Sequence, residues 1–513
     1  MSVTEPEPRG GETVEVRRRL PIALMAIPLA IALPTAGMAQ EDSSGGTLIA
    51  ATAAEPDQLD PHITSAYTSF QVLENVFDTL VEPDENLEMV PALAETWEVS
   101  EDGLTYTFDL RDGVTWHDGS PLLASDVVYS YDRWQTNNFW RFAEGTEVTA
   151  PDDDTVVFSL PAPAPNFLAN LGAYKGLAVV QPANVDSGDI QTMPIGTGPF
   201  KVGAWNIGDS VELVRNDDYW GDAPAIDGVT YRFVPDPTVA LTNLQAGEVH
   251  WTDNLPVQQV NSLKDSTDIV VESVPSNDYF YFAQNQAREP YSDVRVRQAL
   301  AWAIDRDAIV QAAWFGNAAA NQTAIPSTSG WYYDYAPYTR DLDQASALLE
   351  EAGVEDLEID LMVVSTETAA VTAAQVIAAN LADIGVTVSI RQLDSTTWIA
   401  DQGDGNFDIF MWSWIGNLDP SDFYYSQHHS AGGFNAQGYN NPEVDALLDQ
   451  AAAETDRDAR KVLYDQAAKL IVDDASYVYL ANPAIVQGYN PNVEGYTVRG
   501  DAAIRFRDVS LAE

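Results

Sequence analysis

The chain has 513 residues, of which 45% are hydrophobic, and this is enough for about three domains with substantial cores. Its formal net charge is −53, and a surface this acidic repels nucleic-acid phosphates and anionic lipid head groups, so no nucleic-acid partner is expected. The sequence contains no cysteine, which excludes disulfides, thiol catalysis, cysteinate metal sites and a lipid anchor on an N-terminal cysteine.

Residues 1–39 have the pattern of a secretory signal peptide. Three arginines at 17–19 precede an apolar segment that runs from Leu20 to about Pro34, and small residues follow up to Ala39. The prolines and the short apolar length argue against a permanent membrane span. We expect cleavage near Gln40, by a general secretory or a twin-arginine route, and a periplasmic or secreted mature chain that does not span the membrane.

The segments after the leader predict a mixture of α/β units and a small insertion. A strand is expected over 47–51, followed by a helix that has Tyr67 at its entrance and an apolar stripe from Val72 to Leu80. From about 82 to 185 short alternating strands and turns prevail, for example over 104–110, 114–116 and 155–160. This texture predicts a small α+β insertion.

The remaining chain predicts the alternation of strands and helices that is typical of α/β proteins. Expected strands cover 229–234, 278–285, 357–364, 386–393 and 477–480, and expected helices cover 238–246, 342–352, 368–383 and about 457–473.

The stretch 407–425 is the strongest candidate for a functional site. It begins with an aromatic-rich strand from Phe407 to Trp414, in which Trp412 and Trp414 share one face. The chain must turn before Pro420, which cannot donate to a strand ladder. Ligands of open α/β sheets bind beyond the carboxyl ends of strands, and this place fits that rule. A structural alternative is that both tryptophans are core and that Asp419 caps the next helix.

A set of segments, found in this order, resembles the extracellular solute-binding proteins of family 5, which serve peptide and nickel ABC importers. Each segment is modestly specific, but their ordered set is highly specific and spans almost all of the mature chain. The segments are Asp60-Pro61-His62, Leu104–Gly119, Ile195–Lys201, Arg215–Trp220, Val294–Arg306 and Phe434–Asp445.

The resemblance implies an α/β, bilobal periplasmic-binding-protein type II fold with an extra α+β subdomain inserted in the N-terminal lobe. Lobe I would combine residues 40–81, 186–283 and 479–513, the inserted subdomain would be 82–185, and lobe II would be 284–478. Two crossing segments, near 279–285 and 477–484, would form the hinge. Closure of two lobes would desolvate a bound ligand and strengthen its polar contacts.

The implied function is that of the extracytoplasmic solute-binding component of an ABC importer. Such a protein is not an enzyme. It captures a small-molecule or peptide-like solute and delivers it to a membrane permease that works with an ATPase. We expect a monomer with no cofactor and no metal.

The resemblance also implies a ligand site. In similar peptide-binding members an aspartate after the central strand pairs with the ligand's α-amino group, and Asp419 stands at that position. Dipeptide binders further use an arginine near the start of the helix preceding Val386, whereas residues 365–370 contain none, which argues against a free dipeptide. The candidate ligand-binding residues are Asp419, Trp412, Trp414, Asn417, Tyr67, Tyr279, Phe282, Trp398, Tyr424 and Asn435.

Other ligands and one other class of protein remain open. Family members also carry oligosaccharides, opines and metal chelates, and Trp398, Trp412 and Trp414 could stack on sugar rings. A secreted hydrolase has little support, because carboxylate pairs are not specific among 78 acids and no Gly-x-Ser-x-Gly or His-Glu-x-x-His motif occurs. His428 and His429 could be metal ligands, but a polar loop explains them equally well.

The acidity predicts a response to salt. If the charge of −53 is an adaptation to a saline habitat, molar NaCl should screen the repulsion between surface carboxylates and raise the melting temperature. Thermal unfolding at low and at molar NaCl measures this. A melting temperature that stays flat or falls with salt would contradict the adaptation.

Overall fold

The computed structural model describes residues 45–137, 142–414 and 418–512. The predicted signal peptide and the candidate ligand residue Asn417 lie outside these ranges. No helix within them is long and apolar enough to cross a membrane.

The helices and strands follow one another in mixed order. The first part of the chain forms β1 (Thr47–Thr52), α1 (Tyr67–Leu73), β2 (Val81–Pro83), β3 (Met89–Pro91), β4 (Ala94–Val99), β5 (Thr105–Leu110), α2 (Ala124–Asn137), β6 (Glu147–Thr149), β7 (Thr155–Ser159), α3 (Phe167–Gly172), α4 (Pro182–Ser187) and a 3-10 turn (Asp189–Gln191). The middle forms β8 (Phe200–Asn206), β9 (Ser210–Arg215), β10 (Gly228–Phe233), α5 (Pro237–Gln245), β11 (Trp251–Thr252), α6 (Val260–Leu263), β12 (Val270–Pro275), β13 (Tyr279–Gln284), α7 (Val294–Ala303), α8 (Arg306–Trp314) and β14 (Ala318–Ala320). The last part forms α9 (Leu342–Ala352), β15 (Glu358–Val364), α10 (Thr368–Ala382), β16 (Thr387–Leu393), α11 (Ser395–Gly403), β17 (Ile409–Trp414), α12 (Pro420–His428), α13 (Pro442–Ala453), α14 (Arg457–Asp473), β18 (Val478–Tyr489), β19 (Val493–Glu494) and β20 (Ser510–Leu511).

One long sheet runs through the described chain, in the order β16-β15-β17-β13-β18-β11-β1-β10-β9-β8. Strand β18 is the centre of this sheet, because its first half pairs with β13 and its second half pairs with β12. Its other partners are β14 and β11. A single strand therefore connects the two halves of the sheet through backbone hydrogen bonds.

The buried apolar side chains form separate clusters, which we name by their place in the chain. The C-terminal core lies between Tyr279 and Leu480. The N-terminal core combines side chains from the first half of the chain, such as Leu48 and Trp251, with side chains near the C-terminus, such as Phe506. The insert core contains side chains between residues 80 and 179, and a smaller cluster packs around α5.

The insert core is built on the sheet β4-β5-β7-β6. Strand β5 shows the alternation that its sequence predicts, since Tyr106, Phe108 and Leu110 are buried and the residues between them are not. Helix α2 covers the buried face with Val127 and Tyr131. The predicted α+β character of this segment is therefore observed.

Three predicted elements differ from the structure. The helix expected to run from near Tyr67 to Leu80 ends at Leu73, because the carbonyl groups of Asn75 and Val76 instead accept hydrogen bonds from the N–H groups of Phe200 and Gly198. The approach is so close that a Cβ atom on Gly196 would lie 1.9 Å from the Val76 oxygen. The strand expected over 114–116 is only an isolated bridge. The strand expected over 477–480 extends to Tyr489 as β18.

A network of partly buried charges links the C-terminal segment to the start of the insert. Arg505 pairs with Glu74 and Glu82, and Arg507 also pairs with Glu82. These groups and Asp78 line a cavity of about 40 Å³, enough for a few water molecules. Burial raises the pKa of Asp78 to about 6, although Trp220 and Thr197 donate hydrogen bonds to its carboxylate.

Candidate functional site

Strand β17 ends at an aromatic edge. It pairs antiparallel with β13, so that Trp414 lies opposite Tyr279 and Trp412 lies opposite Tyr281. Both tryptophans are partly buried. Trp414 meets the exposed ring of Phe434 edge-on, with the ring centres 4.7 Å apart. This pair places apolar surface at the end of the central strand, where the sequence predicts a ligand.

Trp412 stacks on another candidate residue, Trp398. Its ring lies 4.3 Å from that of Trp398 on α11, with an interplanar angle of 22°. Trp398 is buried, and its indole N–H has no hydrogen-bond partner among the described residues. Each of the two rings therefore covers one face of the other.

Asp419 begins helix α12 and is part of a buried ion pair. Its side chain caps the helix by accepting a hydrogen bond of 2.9 Å from the N–H of Ser421, and Pro420 occupies the first helical position. Both carboxylate oxygens also accept hydrogen bonds from the guanidinium of Arg460, at 2.6 and 2.7 Å. Each of the two side chains is at most 6% exposed. The capping role that the sequence offered as a structural alternative is observed.

Because of this ion pair, the carboxylate of Asp419 already has a cationic partner before any ligand binds. The guanidinium of Arg460 also lies over the rings of Trp331 and Tyr464. A ligand ammonium at Asp419 would have to share a carboxylate that already has a bidentate cationic partner. The predicted contact between Asp419 and the ligand stays a prediction.

Most of the other candidate residues lie inside the C-terminal core. Tyr279, Phe282 and Tyr424 are almost fully buried there, and the hydroxyl of Tyr279 donates to Gln427 at 2.6 Å. Asn435 organises its own loop, since its amide donates to the carbonyls of His429 and Tyr439. Their proposed contacts with a ligand also stay predictions. Tyr67 differs from them, because it is 38% exposed.

His428 is engaged within the core. Its two ring nitrogens lie 2.9 Å from Ser476 Oγ and 2.8 Å from Tyr479 Oη. Burial lowers the pKa of His428 to about 3, so the ring is neutral at physiological pH. Within the described ranges no group of three His, Cys, Asp or Glu side chains is arranged to hold a metal ion.

The aromatic edge is close to a group of polar side chains of the N-terminal core. Asp278 immediately precedes β13. Burial lowers the pKa of Lys175, and the carboxylates of Glu74 and Asp278 act against this effect. Burial raises the pKa of Tyr174, and the carboxylates of Asp253 and Asp278, among others, act in the same direction. Asp278 at the start of β13 is therefore within electrostatic range of Tyr174 and Lys175, and Asp253 is within electrostatic range of the same tyrosine.

We name Tyr67, Gln71, Tyr174 and Asp253 the Asp253 cluster. Asp253 follows β11, which runs parallel to β1, so its carboxylate lies at the carboxyl ends of parallel strands. Its Oδ2 atom accepts hydrogen bonds from Tyr67 Oη at 3.0 Å and from Gln71 Nε2 at 2.6 Å. Burial raises the pKa of Asp253 to about 6.

Sequence reasoning found only Tyr67 of this cluster. The strand before Asp253 has two residues, which is too short to leave a periodic signal. Its pairing with β1 joins residues that are far apart in the chain. The spacing of Tyr67 and Gln71, which stand at positions i and i+4, is the one local signal that would have placed both side chains on one face of a helix.

Residues 88–435 match the family model of the bacterial extracellular solute-binding proteins, family 5. The chain belongs to this family, and it is the solute-binding component of an ABC importer. The family and the fold class predicted from the sequence are confirmed. Members of the family are binding proteins.

Relatives with known ligands match nearly the whole chain. The dipeptide-binding protein of Escherichia coli (strain K12) is 30% identical over 506 residues, covering 91% of this chain and 94% of that protein. The glutathione-binding protein GsiB of Pectobacterium atrosepticum is 29% identical over 476 residues, covering 89% and 92%. The structure of the periplasmic binding protein DppA from Helicobacter pylori, in complex with the peptide STSA, has a TM-score of 0.75 at 29% identity and covers 92% of this chain and 99% of that chain.

The ion pair of Asp419 predicts a stability effect. Asp419→Asn keeps a good helix cap but leaves the buried guanidinium of Arg460 without its counter-charge. We expect the free energy of unfolding to fall by about 3–5 kcal/mol, as for other broken buried ion pairs. Urea denaturation followed by circular dichroism measures the change.

A double-variant cycle provides the control. Arg460→Met alone should also destabilise the protein, whereas Asp419→Asn combined with Arg460→Met should recover part of the loss because neither charge is then buried unpaired. An Asp419→Asn protein with the urea midpoint of the parent would contradict a structural role for the ion pair.

Proposed function

We propose that this protein captures a peptide with a free amino end between two lobes, outside the cytoplasmic membrane, and delivers it to the permease of an ABC importer. The observation that carries the proposal is the aromatic edge at the end of β17, where Trp414 lies opposite Tyr279, the residue that follows Asp278. Apolar walls with a few convergent polar groups are the usual composition of a ligand site.

The ligands named for the relatives support a peptide. They are a dipeptide, glutathione and the peptide STSA. All three are short chains of amide groups with an amino end and at least one carboxylate. A site for such a ligand needs both apolar contact and groups that recognise charge, and this chain has both types of group near Asp278.

The stacked tryptophans weigh against an oligosaccharide. A sugar ring needs an uncovered aromatic face to stack on, whereas Trp398 is buried and covers one face of Trp412. Trp414 contacts Phe434 edge-on, so these two rings form one apolar surface. This arrangement suits an apolar side chain of a peptide better than a hydroxyl-rich ring.

We also propose the predicted domain boundaries, with lobe I at 40–81, 186–283 and 479–513, the insert at 82–185 and lobe II at 284–478. The division of the buried side chains into an N-terminal core, an insert core and a C-terminal core supports them. Strand β18 and the start of β13 would then be the crossing segments around which the lobes close.

The proposed function predicts selective capture of peptides. The purified protein, incubated with a pool of short peptides and a pool of oligosaccharides, should retain peptides when examined by native mass spectrometry. Because the protein is proposed to bind without catalysis, the retained peptides should be unchanged in mass. Trp414→Ala should weaken their binding by about 2 kcal/mol, the loss expected for a central aromatic contact.

Trp97→Ala is the matched control, because Trp97 is also a partly buried tryptophan but lies on β4 of the insert. It should leave peptide binding as in the parent. Retention of oligosaccharides only, or cleavage of the peptides, would overturn the proposed function. If the parent and the Trp414→Ala protein are both folded and bind peptides equally well, the ligand does not bind at the aromatic edge.

Export is the second part of the proposal. The arginines at 17–19, the apolar segment and Ala39 predict removal of the leader near Gln40. N-terminal sequencing of the exported protein measures the cleavage position. Mature protein that still carries residues 1–39 would contradict the leader assignment, independently of any ligand result.

A further inference from the structure

The Asp253 cluster contains a carboxylate whose side-chain partners are all neutral. Beyond Tyr67, Gln71 and its own backbone N–H, the Asp253 carboxylate has no hydrogen-bond or ion-pair partner among the described residues. The side chain is only partly buried, so it can be reached from solvent. A carboxylate in such a position gains most from a cationic partner.

Two acidic groups near the Asp253 cluster, in contrast to Asp253, form ion pairs with arginines. Glu74 pairs with Arg505 at 3.2 Å, and Asp501 pairs with Arg499 at 2.9 Å. The ammonium of Lys175 donates a hydrogen bond to the Ser65 carbonyl at 2.8 Å. Burial lowers the pKa of Lys175, and the carboxylates of Glu74 and Asp278 act in the opposite direction. The cations near the cluster are thus held by other groups.

A second observation points to a missing donor at the same place. Gln71 is 2% exposed, and its amide nitrogen is used by Asp253, but its amide oxygen is buried without a hydrogen-bond partner among the described residues. The hydroxyl of Tyr174 is also buried and unpartnered there. Buried acceptors of this kind are normally satisfied, because leaving one unpaired costs about 1–3 kcal/mol.

The free positions fit a primary ammonium group. An ammonium carries three N–H donors and no acceptor, and here a carboxylate, an amide oxygen and a hydroxyl oxygen offer three acceptors. The ring of Tyr67, which is 38% exposed, adds a surface that attracts a cation, whereas the ring of Tyr174 already faces the ammonium of Lys175 at 5.1 Å. A neutral hydroxyl would satisfy fewer of these groups and would leave the carboxylate without a counter-charge.

We infer that the Asp253 cluster binds the ammonium group at the amino end of the ligand, and that Asp253 selects peptides whose amino end is free. The inference rests on the proposed function, since it assumes a peptide. It assigns the ammonium to the N-terminal core, whereas Asp419 in the C-terminal core already has Arg460 as its counter-ion.

The test compares an equimolar pool of synthetic di-, tri- and tetrapeptides with the same pool after N-acetylation, which removes the charge of the amino end. Retention of each pool by the purified protein is quantified by native mass spectrometry. The parent should retain free-amine peptides at least about thirtyfold better than acetylated ones, as for a partly buried charge pair. In Asp253→Asn this ratio should fall to about fivefold or less, the worth of roughly one hydrogen bond.

Two further variants keep the test decisive. Asp265→Asn makes the same charge change at an exposed position and should keep the parent ratio. If Asp253→Asn does not fold, Tyr67→Phe decides, because it removes one donor to Asp253 and should lower the ratio by about threefold. An unchanged ratio in Tyr67→Phe would then overturn the inference.

The remaining outcomes separate this inference from the proposed function. A parent that retains both pools equally, or an Asp253→Asn protein that discriminates like the parent, overturns the role of Asp253 and leaves a peptide-binding protein. A ratio lost in Asp419→Asn but kept in Asp253→Asn transfers the ammonium to Asp419. A parent that retains neither pool overturns the proposed function, and the inference with it.

Discussion

The structure depends on the backbone hydrogen bonding of β18. Residues near its start pair with β13 in the C-terminal core, and residues near its end pair with β12 and β11 beside the N-terminal core. Asn482 strengthens the crossing, because its amide donates to the carbonyls of Asp278 and Ala324. A strand whose polar backbone is satisfied on both sides holds the two cores in register. The strand that leads to Asp253, β11, and the strand that faces the aromatic edge, β13, therefore both pair with β18.

The carboxylates in the interior of the protein differ from those on its surface in how their charge is compensated. The buried carboxylates of Asp60, Asp419 and Asp501 pair with Arg133, Arg460 and Arg499, so these pairs add no net charge to the interior. Most of the net charge of −53 consequently lies on the exterior. Asp253 differs from these carboxylates, because its side-chain partners are neutral. A cationic group of a ligand that paired with Asp253 would therefore stabilise the complex.

The aromatic residues divide between structure and recognition. Tyr279, Tyr281 and Tyr479 pack together inside the C-terminal core, where burial raises the pKa of each hydroxyl. Trp414 and Phe434 lie at the rim and expose part of their rings. Aromatic side chains therefore have two roles: some hold β13 in the C-terminal core, and others form the apolar surface at the end of β17. Rigid support of this kind positions a binding surface more accurately than a loop would.

The sequence by itself determined the family, the order of most helices and strands and the strand that leads to the site, since these depend on local periodicity, caps and motif order. Helix α9, for example, begins and ends where Asp341 and Gly353 predict. Only the tertiary structure decided that Asp419 pairs with Arg460, that α1 stops at Leu73, and that Asp253 meets Gln71. Each of these contacts joins residues far apart in the chain, or replaces a local hydrogen bond by a distant one, and no local pattern records such a choice.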